Sequence, residues 1–83
     1  MPIRYEDDPG VYLSMYLVKH KNITAALFTP EQVFEHVLEA LKREEPDMPE
    51  RDVYNSAVGA RIFAETAEKG KVFGVKNLKV EIR

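Results

Sequence analysis

The chain has 83 residues, a formal net charge of −2 and no cysteine, and 45% of its residues are hydrophobic. That length suits one small domain, residues 1–83, in which we expect residues 1–8 to be a loosely held N-terminal segment. The lack of cysteine excludes disulfides, thiolate zinc sites, iron–sulfur clusters and cysteine nucleophiles. No pattern of a signal peptide or a membrane span is visible, so we expect a cytoplasmic protein without a membrane partner.

Charge is unevenly distributed along the chain. Residues 30–52 carry eight acidic and three basic side chains, whereas residues 53–83 carry six basic and three acidic ones. Two lysines add positive charge within residues 19–29. Such asymmetry can steer a charged partner to one face, although it is also typical of solvated helix surfaces.

The N-terminal third contains two apolar runs, 11–18 and 23–28, separated by the polar segment 19–22. Valine and tyrosine favour strands, so these runs predict a β-hairpin. In the first strand we expect Val11, Leu13, Met15 and Leu17 to face the core, and Tyr12, Tyr16 and Val18 to face outward. A helix over 9–20 remains the alternative, because so short an apolar run has no decisive periodicity.

The first helix has the clearest beginning. Thr29-Pro30-Glu31-Gln32 has the pattern of a capping box, with a hydroxyl at the N-cap and glutamine three residues later. An apolar stripe at helical spacing follows, formed by Val33, Phe34, Val37, Leu38 and Leu41, and Pro46 ends the run.

A second helix is predicted from Pro49 or Glu50 to Lys69, with Gly70 as the left-handed residue beyond its end. Its small residues form a row, and Gly59 beside that row indicates close packing rather than a kink. Strands 71–75 and 78–82 then form a hairpin around Lys76-Asn77, with Val75 opposite Leu78 and Phe73 opposite Val80.

These elements predict an α+β fold of order ββααββ, with two helices on one face of a mostly antiparallel sheet. Two helices cover only one sheet face, so Tyr12, Tyr16 and Val18 would form an exposed apolar patch suited to a protein partner or a second copy. The acidic face of the first helix, Glu31, Glu35 and Glu39, is a second candidate surface, suited to a basic partner. We therefore expect a non-enzymatic adaptor, regulator or inhibitor that forms a homodimer.

Catalytic and metal-binding motifs are few. His36 and Glu39 at i and i+3 offer two metal ligands, but a zinc site needs three or four, so we expect no metal and no cofactor. His20 is predicted to be a solvated turn residue. Neither serine lies in a nucleophile elbow, and the glycines match no phosphate-binding or dinucleotide-binding motif.

The start Met1-Pro2-Ile3 resembles that of the small tautomerase family. The resemblance implies that Pro2, once freed by removal of Met1, would act as a general base. It covers three residues, because Glu6, Asp7 and Asp8 interrupt the strand that should follow, and the strand expected between the helices is missing.

If residues 9–20 were helical, the order would resemble a winged-helix domain that binds DNA. The C-terminal hairpin would then be the wing, and the second long helix would enter the groove. The residues for such binding would be Arg61, Lys71, Lys76, Lys79 and Arg83. The overall acidity of the chain opposes this alternative, because phosphate contacts dominate affinity for nucleic acid.

Overall fold

The computed structural model describes residues 15–83. Its elements are β1 Tyr16–His20, β2 Ile23–Leu27, α1 Pro30–Glu44, α2 Glu50–Thr66, β3 Val72–Val75 and β4 Leu78–Ile82. The strands form one antiparallel sheet in the order β2-β1-β4-β3, with both helices on one face. The predicted α+β fold and ββααββ order are confirmed. The winged-helix order is wrong, because Tyr16–His20 is a strand.

The start of α1 follows the predicted capping box. The Gln32 N–H donates to Thr29 Oγ1 at 3.1 Å, and the Thr29 N–H donates to Gln32 Oε1 at 3.2 Å. These bonds satisfy two main-chain donors at the start of the helix. The buried stripe of α1 consists of Val33, Val37, Ala40 and Leu41.

Helix α2 ends at Thr66, three residues before the predicted end. The N–H of Ala67, the C-cap residue, donates a hydrogen bond to Phe63 O at 2.9 Å. Gly70 does have the expected positive φ, 90°, but its N–H donates to Ile82 O at 2.8 Å. Gly70 therefore turns the chain into the sheet instead of capping the helix.

The small residues of α2 are buried, and α2 continues without a break through Gly59. A Cβ at Gly59 would lie 3.4 Å from Cζ of Phe73 on β3. The ring of Phe73 therefore packs directly on α2 at this glycine, at the edge of ordinary van der Waals distance. The unbroken helix excludes a kink at Gly59.

The C-terminal hairpin has the predicted register, with Val75 opposite Leu78 and Phe73 opposite Val80. Lys76, not Asn77, takes the left-handed conformation in its turn, with φ 53°. The predicted strand boundaries are correct to within one residue.

In the N-terminal hairpin the second strand, Ile23–Leu27, lies where it was predicted, whereas the first strand ends two residues later than predicted. The first strand was expected at 11–18 and is found at 16–20; the residues before 15 lie outside the described part. The predicted turn 19–22 was too long, because Lys19 and His20 pair with Thr24 and Ile23 and leave only Lys21-Asn22 as the turn. Lys21 takes φ 57°, as Lys76 does in the other hairpin.

The predicted orientation of this strand is wrong. Tyr16 and Val18 were expected to face outward, yet their side chains are only 6% and 1% exposed and belong to the core. The Tyr16 hydroxyl donates to Ala64 O at 2.9 Å, in the last turn of α2, where helix carbonyls lack helical partners. In β1 the exposed Lys19 marks the open face, but Lys19 was assigned to the turn, and the remaining residues Tyr16, Leu17 and Val18 show no polar alternation that could decide the orientation.

Candidate functional site

The sheet has one face against the helices and one open face. Along each strand the side chains alternate between the two faces, and those of Val18, Leu78 and Val80 are buried beneath the helices. No helix or strand within residues 15–83 covers the other face. Its side chains come from Leu17, Lys19, Thr24, Ala26, Val72, Gly74, Lys79 and Glu81.

Two lysines lie at the centre of this open face. Lys19 on β1 is directly opposite Lys79 on β4, and both are exposed. Thr24 on edge strand β2 lies opposite Lys19, and Gly74 on edge strand β3 lies opposite Lys79. These four residues form one row across the sheet, in which small residues flank the lysines. Like charges directly opposite each other destabilise a sheet. The sheet thus holds a local charge repulsion that an anionic group could relieve.

The charge of residues 15–83 separates between the two layers of the structure. Within residues 15–28 and 70–83, which form the sheet and its turns, one acidic residue, Glu81, stands against six basic residues: Lys19, Lys21, Lys71, Lys76, Lys79 and Arg83. Residues 29–69, which form the helices and their connections, carry ten acidic and five basic residues. Glu81 is itself paired, since Arg83 Nε lies 3.5 Å from its carboxylate. The sheet layer of residues 15–83 is therefore the basic one. On the open face itself the charged strand residues are Lys19, Lys79 and Glu81, because Lys76 lines a cavity with Asp52 and Asn55 of α2, and the charge of Lys21 acts on Glu45 just after α1.

The predicted partner patch does not exist in the expected form. Tyr16 and Val18 are buried, and Tyr12 lies outside the described residues. The open face is where the prediction placed an interface, but the residues on it are different. Two lysines, Glu81, the apolar residues Leu17 and Val72, and three small residues occupy it instead of tyrosines.

The acidic residues Glu31, Glu35 and Glu39 are all exposed on α1. Glu35 and Glu39 line a shallow cavity of about 240 Å³ together with Leu27, Gln32 and His36. Partial burial and the positive charge of Arg43 lower the pKa of His36, while Glu39 acts in the opposite direction. His36 therefore favours its neutral form more than a free histidine does.

The residues predicted for nucleic-acid binding are divided by the fold. Lys71, Lys76, Lys79 and Arg83 all lie on or beside the β3–β4 hairpin. Arg61 lies in the helical layer, where its guanidinium carbon is 5.1 Å from the centre of the Phe34 ring. Arg61 thus makes a cation–π contact within the helix pair and is not part of the basic sheet.

The structure brings together a polar cluster that the sequence analysis missed. His20 is only 3% exposed, although it was predicted to be a solvated turn residue. Its Nε2 lies 3.1 Å from the Glu45 carboxylate just after α1, and Asn77 Nδ2 donates to the same oxygen at 3.4 Å. A carboxylate only accepts, so Nε2 carries the hydrogen. Nδ1 is buried without a hydrogen-bond partner.

Glu45 is the acidic member of this cluster. Desolvation raises its pKa, but the hydrogen bonds from His20 and Asn77 and the nearby charges of Lys21 and His20 outweigh it. The net result is a pKa below the ordinary value, so Glu45 is ionised at neutral pH. The sequence offered one signal for this cluster: His20 lies two residues after Val18 and four after Tyr16, so all three side chains point to the same face of a strand. The signal could be used only if Tyr16 and Val18 were first assigned to the core.

An open cavity of about 490 Å³ lies between α2 and the turn that joins β3 to β4. It is lined by Met48, Asp52, Asn55, Ser56, Val75 and Lys76. No histidine lines it, and no hydrogen bond within residues 15–83 joins Ser56 to a base. Such a surface can accept a polar group, but it lacks the arrangement of an activated nucleophile.

Within residues 15–83, no group of three or more histidine, aspartate or glutamate side chains could hold a metal ion. None of the helices there is long and apolar enough to cross a membrane.

Comparisons with protein-family models, with curated proteins and with solved structures found no significant match.

Proposed function

We propose that this chain is a non-enzymatic interaction domain, acting as an adaptor, regulator or inhibitor, and that it binds an acidic protein partner on the open face of its sheet. The observation that supports this most directly is the pairing of Lys19 with Lys79. A carboxylate placed between these two ammonium groups would replace a repulsion with two attractions.

The row of residues next to the lysines favours a protein as the partner. It runs across the sheet through Ala26, Leu17, Glu81 and Val72; Leu17 is half-buried and Val72 is 56% exposed. Protein interfaces combine apolar contacts with polar groups, and the small residues Ala26 and Gly74 leave room for a close approach. None of the strand residues Tyr16–His20, Ile23–Leu27, Val72–Val75 and Leu78–Ile82 places an aromatic side chain on this face to stack on a base.

The acidic helix supports the orientation of such a partner. Glu31, Glu35 and Glu39 lie in the layer opposite to the open face, so an acidic partner is repelled from the helices and attracted to the sheet. This is electrostatic steering, which raises the association rate and weakens with salt. The same acidic surface remains available to a basic partner.

Nucleic-acid binding is the second candidate function. It is favoured by the position of Lys71, Lys76, Lys79 and Arg83 on a single hairpin, next to Lys19 on the adjacent strand. Basic residues on one hairpin can neutralise backbone phosphates without reading sequence.

An NMR titration of the full chain distinguishes these functions. With polyglutamate as an acidic polypeptide, we expect the amide shifts to change at Leu17, Lys19 and Lys79 and to stay constant along α2. Changes confined to α1 or α2 would contradict the proposal.

The second arm of the titration uses a mixed-sequence DNA duplex at about 50 mM and about 200 mM salt. Binding on the same face that is at least about tenfold tighter than to polyglutamate would support the second candidate instead. Absence of binding to both polymers would contradict both candidates.

A further inference from the structure

Strand β2 is an edge strand without the usual protection. Its sequence, Ile23–Leu27, contains no charged residue and no proline, and no segment within residues 15–83 pairs with its outer side. Ile23 is 45% exposed, and Phe28, just beyond the strand, is 60% exposed. Natural edge strands are normally blunted by lysine, proline or a bulge, because unpaired main-chain groups recruit further strands.

The other edge of the sheet differs. Strand β3 is four residues long, lies between Lys71 and Lys76, and contains Gly74. Short length and flanking lysines are the features that discourage edge pairing. The two edges are therefore not equivalent, and β2 is the one that residues 15–83 leave open to another strand.

We propose that β2 pairs antiparallel with β2 of a second copy of this chain, about a two-fold axis at Ala25. The His20–Ile23 pair closes a two-residue turn, so Ile23, Ala25 and Leu27 bond to β1, and the main-chain groups of Thr24 and Ala26 point outward. In the dimer Thr24 of each protomer is opposite Ala26 of its partner.

The same register covers exposed apolar surface. Ile23 of one protomer comes opposite Leu27 of the other, on the side of the sheet that the helices occupy. Leu27 borders the shallow cavity that Gln32 and His36 also line. Each protomer therefore supplies an exposed apolar side chain and a recess beside the partner's edge, as a symmetric interface requires.

The charges of α1 are complementary across this axis. Helix α1 runs antiparallel to β2, because it begins just after Leu27, and Glu45 beyond its end contacts His20, the partner of Ile23. The axis thus sets the first half of one α1, with Glu31 and Glu35, towards the last turn of the other, where Lys42 and Arg43 outnumber Glu44. Arg43 Nε also lies 3.1 Å from the Glu44 carboxylate of its own protomer, so Lys42 is the basic residue of this turn without such a pair. Opposite charges facing each other fix the register of an interface.

The dimer has one continuous eight-stranded sheet, with both open faces on the same side. It does not depend on the acidic partner, since the edge and the open face are different surfaces. Loss of the dimer would leave the Lys19–Lys79 pair intact, so the two proposals can fail separately.

Sedimentation equilibrium of the full chain tests the dimer. We expect a dimer that Ile23→Lys dissociates, weakening association by at least about tenfold, because the substitution places a charge at the paired edge. Val72→Lys is the matched control, because it places the same charge at an exposed apolar position on the other edge, and we expect it to leave association unchanged. A monomeric wild type, or equal effects of both variants, would overturn the proposal.

A charge exchange tests the register. Glu35→Arg and Arg43→Glu should each weaken association, and the double variant should recover most of it; failure to recover overturns the proposed register. Amide hydrogen exchange gives a second readout. Slow exchange at Thr24 and Ala26 in a monomeric protein would overturn the dimer, because the edge would then be covered from within the same chain.

Discussion

The two faces of the sheet differ in what their residues do. The face beneath the helices is formed by side chains such as Val18, Leu78 and Val80, which are at most 1% exposed, and its polar member His20 has a charged partner. The open face has paired lysines and small residues whose arrangement lowers stability. The face beneath the helices therefore maintains the fold. The open face has residues that the fold does not need, and for this reason we assign the interaction to the open face.

The largest expected effect comes from truncating the covered face. Leu78→Ala removes a fully buried side chain and should lower the free energy of unfolding by about 2–5 kcal/mol. Lys79→Ala, the next residue on the opposite face, should change it by less than about 0.5 kcal/mol. Urea unfolding measures both, and equal losses would remove the distinction between the faces.

His20 tests the polar end of the covered face. His20→Ala should lower the free energy of unfolding by about 2 kcal/mol, because it opens a cavity and removes the main hydrogen-bond donor of Glu45. Thermal and urea unfolding measure the loss. A change within about 0.5 kcal/mol would mean that His20 contributes no more than a surface residue.

The same cluster predicts a pH dependence. The folded pKa of Glu45 lies below its ordinary value of 4.5, so its contribution to stability is present above that pH. The contribution is lost as the pH falls through the lower, folded-state value. Urea unfolding between about pH 6 and pH 3 should show a smaller acid-induced loss for Glu45→Gln than for the wild type. Identical pH profiles would contradict the role of Glu45.

Tyr16 should have a smaller effect. Tyr16→Phe keeps the buried ring and removes only the bond to Ala64 O, so unfolding should become easier by about 1 kcal/mol. Tyr54→Phe is a matched control, because Tyr54 is 54% exposed. We expect no measurable change in its urea midpoint, and equal shifts for the two variants would contradict the assigned bond.

The open face predicts a change of opposite sign. Lys79→Glu replaces a like-charge pair with an opposite-charge pair and should raise the free energy of unfolding by about 0.2–1 kcal/mol. Urea unfolding at low salt measures this, and added salt should reduce the gain. A destabilised variant would show that Lys19 and Lys79 do not repel each other.

The parts of the fold that the sequence predicted are those with clear signals in neighbouring residues. Helix α1 was predictable because Thr29 and Gln32 define its start, and the C-terminal hairpin because Lys79 and Glu81 alternate with buried residues. The open face itself followed from having two helices and one sheet.

The orientation of β1 was missed because Leu17 and Val18 are both apolar, and Lys19, whose exposure marks the open face, was assigned to the turn instead of the strand. Its orientation depends on two distant partners, Ala64 for Tyr16 and Glu45 for His20. With the orientation inverted, Tyr16 and Val18 were assigned to the surface, and the His20 cluster was missed.

Charge reversal on the two layers tests most directly whether the open face binds an acidic partner. Polyglutamate affinity at low salt should fall at least about tenfold in Lys79→Glu. It should stay near the wild-type value in Arg51→Glu, which makes the same charge change at an 84% exposed side chain on α2. Equal losses in both variants would mean that net charge alone governs binding, and would contradict the assignment of the interaction to the open face.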